Sequence, residues 1–408
     1  MSLPVLLVFS RHRWGACVRR SQQLMSRLAG RWQVVFVEEP NRSLGPARFD
    51  VRSGGAAGLP AALTVLVPHT PLARTGFNEE QGVLLRPLLA EWLQAHHAAV
   101  DMVWLTTPMA WPLAASVQPT GVVYDAAAVL ADLPQPLAQL RQQEAQLLRH
   151  ADLVLTGGPA RYDELRHRHP HVLCLPNAVD AAHFAPACLH PDSPHARLAR
   201  APQGPRPMAR LGFFGTVDER LDMDLLAALA DAHTDWQVDM VGPMKHSQPG
   251  LLPQRRNLQW WGAQPYSALP YLMSTWDICL LPYRVDSAFS ASNPSQTLEY
   301  LAGDKPVVST TLEDVKALFS DAVDVVQGRQ AFVQRCEELL CAGPAVRARR
   351  AIERLTTVSV FSWDRTALSV HELLRQALFE ARARGQEQAS LGPVAPTRQL
   401  RRLASGSA

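Results

Sequence analysis

NPSQTLEYLAGDKPVVST, residues 293–310, decides the fold, because it writes a capped helix that runs straight into a buried strand. Asn293 is a favoured N-cap residue, and Pro294 suits the first helical position, where its missing N–H removes no helical bond. Leu298, Leu301 and Ala302 recur at helical spacing as an apolar stripe, while Ser295, Gln296 and Glu299 fall on the opposite side. Gly303 supplies the C-cap, and Pro306 to Thr310 reads as a short buried strand followed by a new loop. A helix feeding a strand in this way is one unit of an α/β sheet.

The start of such a helix presents unpaired backbone N–H groups and a partial positive charge. A diphosphate docked at Ser295 and Gln296 needs no lysine there. Glu299 then stands where a carboxylate accepts hydrogen bonds from sugar or ribose hydroxyls, each worth about 1.5–3 kcal/mol when water is excluded. The same spacing also fits a solvent-facing glutamate on an ordinary amphipathic helix.

The motif has company. Upstream lie LGFFGTVDERLD (Leu211 to Asp222), WQVDMVGP (Trp236 to Pro243), the Asn257 to Tyr283 stretch and LPNAVDAAHF (Leu175 to Phe184), with Ser10 to Pro40 and FSWD (Phe361 to Asp364) at the two ends. In this order they resemble the GT-B glycosyltransferases, especially the family four group, over nearly the whole chain. The resemblance implies an α/β fold of two Rossmann-like domains facing an interdomain cleft, with a nucleotide-sugar donor held in the C-terminal domain, no metal, and retention at the sugar carbon. It puts donor contacts at Gly215, Thr216, Arg220, Pro243 and Tyr283 and along Asn293, Ser295, Gln296, Thr297 and Glu299. Arg220, near a strand-to-helix turn, is the expected diphosphate ligand, a guanidinium being able to grip two oxygens at once. Without that context it reads equally as an exposed arginine at a helix start.

Several positions depart from the family pattern. Where many relatives carry an earlier glutamate, this chain has Ala291 beside Ser290, and Gln296 stands where a lysine is usual. Ala126, Ala127 and Ala128 follow Tyr124-Asp125 in place of further acidic residues, and Gln23 replaces a histidine. These departures motivate a second reading, a glycosyltransferase fold that has lost turnover and serves a polysaccharide-assembly complex. A third is an epimerase or phosphorylase on the same architecture.

The chain's 408 residues suit two domains of roughly 180 residues each. Strand-like and helix-like stretches alternate in both halves, predicting parallel sheets covered on both faces. Residues 1–185 read as the acceptor-side domain and 186–207, with six prolines, as a linker. Residues 208–355 read as the donor domain and 356–383 as a helix returning to the first domain, ahead of a disordered basic tail from 384 to 408. With 47% hydrophobic and 19% charged residues, the chain can bury two cores. Its net charge of +3 and lack of nucleic-acid motifs argue against a nucleic-acid partner. The apolar start lacks a basic region before it, and no apolar run nears the roughly 20 residues that span a bilayer. The expectation is a cytoplasmic protein with at most peripheral membrane contact, acting on a saccharide or lipid-linked acceptor. Six scattered cysteines without CxxC pairs fit reduced thiols.

On the N-terminal side, Asp125 closes a strand and faces the expected cleft, a position that also suits a cap or loop role. Gly157 and Gly158 open a helix after a strand and could cradle acceptor or donor groups. Gly15 either lets a ligand approach the backbone or shapes a turn. The GxGxxG of dinucleotide-dependent oxidoreductases is missing after the first strand. Asp222-Met223-Asp224 spells DxD but sits at a helix start, where aspartates complement the dipole. His167, His169 and His171 flank a loop.

Overall fold

Two sheets organise the chain. The computed structural model describes residues 3–15, 20–55, 59–127, 130, 136–186, 189–190, 192–199, 208–245, 252–285 and 293–390. Cys17, Ala128, Cys188, Ser290, Ala291, much of the proline-rich segment and everything from 391 onward lie outside them.

The first sheet is built from β1 (Val5–Ser10), β2 (Gln33–Glu38), β3 (Asn41–Arg42), β4 (Arg48–Ser53), β5 (Leu63–Thr70), β6 (Met102–Leu105), β7 (Gly121–Ala126), β8 (Leu153–Thr156) and β9 (Val172–Cys174). Its order is β3-β5-β2-β1-β6-β7-β8-β9, with β4 paired to β5. The pairing is parallel except for β4, which runs antiparallel to β5. That edge corrects the all-parallel expectation. RFDVRS carries Arg48, Asp50 and Arg52 along one face and stays largely exposed, as an edge strand should.

Apolar runs explain why the inner strands are covered twice. Along β1, Leu7 and Phe9 enter one core with Val35 and Val37, and Leu6 and Val8 enter another with Val34 and Phe36. The second of these cores also takes Trp363, Ala367, Val370 and Leu374 from the helix Trp363–Ser390, which lies beside the helix Arg20–Leu28. The returning helix continues to Ser390, past residue 383 where the sequence reading ended it. Gly385 is the one glycine in that extension, and good helix formers surround it.

The second sheet contains β10 (Ala209–Phe214), β11 (Trp236–Val241), β12 (Leu258–Gly262), β13 (Ile278–Leu281), β14 (Val307–Thr310) and β15 (Asp324–Val326). All pairs are parallel, in the order β12-β11-β10-β13-β14-β15. This is the doubly wound arrangement, with a switch point between β10 and β13 where strand order reverses. The first sheet reverses likewise between β1 and β6. The chain passes between the two units twice, and the crossings touch: the Val179 N–H donates to the Phe361 carbonyl at 3.0 Å.

Candidate donor and acceptor cleft

Ligands of open α/β sheets bind beyond the carboxyl ends of the strands, at switch points. Here both switch points open into one cavity of about 460 Å³, within the usual range for ligand pockets. From the first sheet, Arg11, His12 and Thr106 line it; from the second, Gly215, Thr216 and Tyr283. The β1 end is braced by Thr106, whose Oγ1 accepts from the Arg11 N–H at 3.2 Å.

The loop after β10 is held rigidly. Gly215 N–H donates to the Val241 carbonyl at 2.8 Å, Val217 N–H to Pro243 at 3.0 Å, and Arg284 N–H to the Arg220 carbonyl at 2.7 Å. Two glycines make this possible. A Cβ on Gly242 would fall on the Gly215 carbonyl oxygen, and one on Gly215 would meet the Gln296 amide and the Phe213 ring. Arg220 lines the cavity, but its Nε and Nη2 bond both oxygens of Asp218 at 2.9 and 2.8 Å. Asp218 is 3% exposed and was not expected from sequence; the signal was a carboxylate two residues before the arginine.

The helix carrying Glu299 is Gln296–Ala302, seven residues long. Its N-cap is Ser295, without a side-chain cap bond, which corrects the assignment to Asn293. Asn293 faces across the cleft instead: its Nδ2 donates to the Gly157 carbonyl at 2.9 Å, and its own carbonyl accepts from Asn177 Nδ2 at 3.3 Å. Pro294, Ser295, Gln296 and Glu299 all line the cavity. Thr297 does not; it is fully buried on the helix's inner side, its hydroxyl without a partner among the described residues. Tyr300, also missed, anchors this helix: its hydroxyl accepts from the Phe214 N–H at 2.8 Å and donates to the Phe214 carbonyl at 3.4 Å. Burial pushes its ionisation well above the ordinary tyrosine range.

Tyr266 is a further lining residue that the sequence did not single out. Its ring stacks face to face on His183, centroids 4.3 Å apart, with Phe184 edge-on at 5.4 Å. Burial raises its hydroxyl pKa, and the nearby carboxylates of Glu299 and Asp180 raise it further. Those two carboxylates and the tyrosine therefore share one corner of the cleft.

On the other wall, Asp125 is 3% exposed and its carboxylate is taken up by Arg20, with Nε at 3.1 and 3.2 Å from its two oxygens. Arg20 Nη1 also bonds the Leu175 and Pro176 carbonyls. Asp125 and Arg20 both line the cavity, so Asp125 faces the cleft as expected and there fixes the guanidinium that holds the crossing segment. Gly157 and Gly158 line the cavity, whereas Gly15 does not; its φ of +87° makes it a turn glycine. Outside the cleft, Asp222 caps the helix Met223–Ala232, Asp224 pairs with Arg329 at 2.8 Å, and His169 bonds the Ala151 carbonyl. Among the described residues no His, Cys, Asp and Glu cluster is placed to hold a metal. No described helix is long and apolar enough to cross a membrane.

The architecture is the GT-B fold, two Rossmann-like domains facing one cleft. Sucrose-phosphate synthase from Thermosynechococcus elongatus matches with a TM-score of 0.70 at 17% identity, covering 93% of this chain and 100% of that one. HepE of Anabaena, solved with UDP and glucose, gives 0.66 at 15% identity over 91% and 100%. α,α-Trehalose 6-phosphate synthase from Burkholderia multivorans gives 0.67 at 13% identity over 93% and 100%. No protein-family model matches the chain. In sequence, 139 residues are 30% identical to TuaH of Bacillus subtilis (strain 168), assigned by name as a teichuronic acid biosynthesis glycosyltransferase. The match takes in 32% of this chain and spans about a third of that relative, 34% of its length.

Proposed function

We propose that the protein is a glycosyltransferase that takes a sugar from a nucleotide donor held against the second domain and passes it to a saccharide or lipid-linked acceptor on the first. The observation that carries this reading is the shared cavity at both switch points, with Glu299 and Arg220 on its donor wall. The diphosphate rests by Ser295 and Gln296 with Arg220 beside it, and Glu299 accepts hydroxyl hydrogen bonds. Asp218, by fixing two nitrogens of Arg220, presents the guanidinium in one orientation. Catalysis then comes from positioning and from stabilising the departing diphosphate, with no metal and with retention at the sugar carbon. The partial likeness to TuaH supports a place in polysaccharide synthesis, and the reading puts the protein on the cytoplasmic side, at most peripheral to the membrane.

The test is transfer by purified protein with a panel of nucleotide sugars, alongside calorimetry of donor binding. Arg220→Ala and Glu299→Ala should each lower kcat/KM by about 10²-fold or more. Wild-type rates in both variants would overturn these roles. Because Asp218 already satisfies two of Arg220's nitrogens and Gln296 brings no charge, a second reading keeps the donor site but not turnover. Tight nucleotide-sugar binding without transfer or hydrolysis across many acceptors would favour that non-catalytic, assembly role.

A further inference from the structure

The Gly157-Gly158-Pro159 turn, expected to face a substrate, is gripped from two sides by the other domain. Asn293 Nδ2 donates to the Gly157 carbonyl at 2.9 Å, and Asp314 Oδ1 accepts from the Ala160 N–H at 2.9 Å. Asp314 opens the helix Glu313–Phe319 just beyond β14, whereas the turn lies between β8 and the helix Pro159–Leu165. The grip requires a glycine, since a Cβ on Gly158 would land on the Asp314 carboxylate. Neither hook belongs to the paired crossings at Val179 and Phe361, so both contacts exist only while the domains are together.

The energetics of the grip are finely balanced. Asp314 is 2% exposed, and burial raises its pKa against the opposing effect of the Ala160 N–H. A carboxylate satisfied by so little regains water when the domains part, so the contact can break and reform. Asn293 also stands two residues before Ser295, which ties the donor-side turn to the position of the first domain.

We infer that Asp314 and Asn293 are a releasable interdomain latch, with Gly158 as its receptacle, and that Asp314 is a positioning residue that sets the closed cleft. The positioning part rests on the glycosyltransferase reading; the latch itself does not.

Small-angle X-ray scattering on the full chain reads the latch directly. Asp314→Ala and Gly158→Ala should each enlarge the radius of gyration with unchanged circular dichroism. Asp314→Asn keeps an oxygen to accept the Ala160 N–H and should stay near wild type. The double variant Gly158→Ala/Asp314→Ala should be no more open than Asp314→Ala alone, because the Cβ no longer meets a carboxylate. In assays, Asp314→Ala should lower kcat for transfer about tenfold while changing the dissociation constant of free nucleotide less than about twofold, with Asp314→Asn restoring most of kcat. Unchanged scattering in both single variants would overturn the latch. Opening with undiminished kcat would overturn the positioning role. If wild type itself transfers no sugar, the enzymatic reading fails while scattering still decides the latch.

Discussion

Tyr300→Phe removes one oxygen atom from a place where the second sheet is short of a strand partner. In a strand, the N–H and C=O of one residue point to the same side. Gly215 bonds β11, so Phe214 faces the β13 side, where the register ends at Gly212 opposite Cys279. The Tyr300 hydroxyl fills both vacant positions, at 2.8 and 3.4 Å from Phe214 N and O. Deleting it strands a buried donor and a buried acceptor, a loss of about 2–4 kcal/mol. For a domain of this size that is a fall of roughly 5–10 °C in the melting midpoint of the second domain, followed by differential scanning fluorimetry. Because the helix that carries Glu299 is moored by this contact, nucleotide affinity should also weaken, by about tenfold in calorimetry. Tyr300 does not line the cavity, so a direct contact with ligand cannot account for such a loss. A Tyr300→Phe protein that melts within about a degree of wild type and binds nucleotide equally well would refute this reasoning.

Three further outcomes follow from buried and half-buried groups. Burial raises the Glu39 carboxyl to about 7, opposed by Arg11 and Arg13. A carboxyl raised by folding stabilises the protein at low pH and loses that contribution as pH climbs from the ordinary range through about 7, so Glu39→Gln should raise the melting temperature at pH 8 and not at pH 4.5. His371 Nδ1 accepts from the Trp32 indole at 3.0 Å, and burial lowers its pKa. That contribution is complete above the ordinary imidazole range and is lost as pH falls below it, so acid melting curves should flatten in His371→Gln, whose amide oxygen accepts without titrating. Leu374 is fully buried between the returning helix and the first sheet, and Leu374→Ala should cost about 2–5 kcal/mol by denaturant titration.

The order of strands and helices was legible wherever apolar runs were continuous: VLLVF, VVFV and PVVST read as strands from their apolar runs. The charged edge strand β4 lacks such a run and went unread. On the donor side, Ser295 and Glu299 carry the local signature of a helix start, whereas Gly215 and Arg220 were expected only from the family resemblance; all four line the cavity. Among the groups that hold them, Asp218 leaves a local signal, a carboxylate two residues before its arginine, whereas Tyr266 and Tyr300 act through contacts made in three dimensions, and a tyrosine that satisfies a strand end looks in sequence like any core aromatic. Asn293 shows the converse, a strong cap signal overridden because the side chain finds a carbonyl 136 positions away.

The return of Trp363–Ser390 to the first sheet means that the second domain is an insertion in the first. During synthesis, Leu24, Met25, Leu28 and Trp32 have emerged from the ribosome long before the residues that will cover them, and the whole donor module is made in between. Autonomous folding of the inserted module would let it reach its native form first, leaving an unsealed hydrophobic flank on its neighbour for chaperones to guard. A stop codon shortly before residue 363 would leave that flank permanently open, and would yield an aggregating product out of a chain whose donor module is intact.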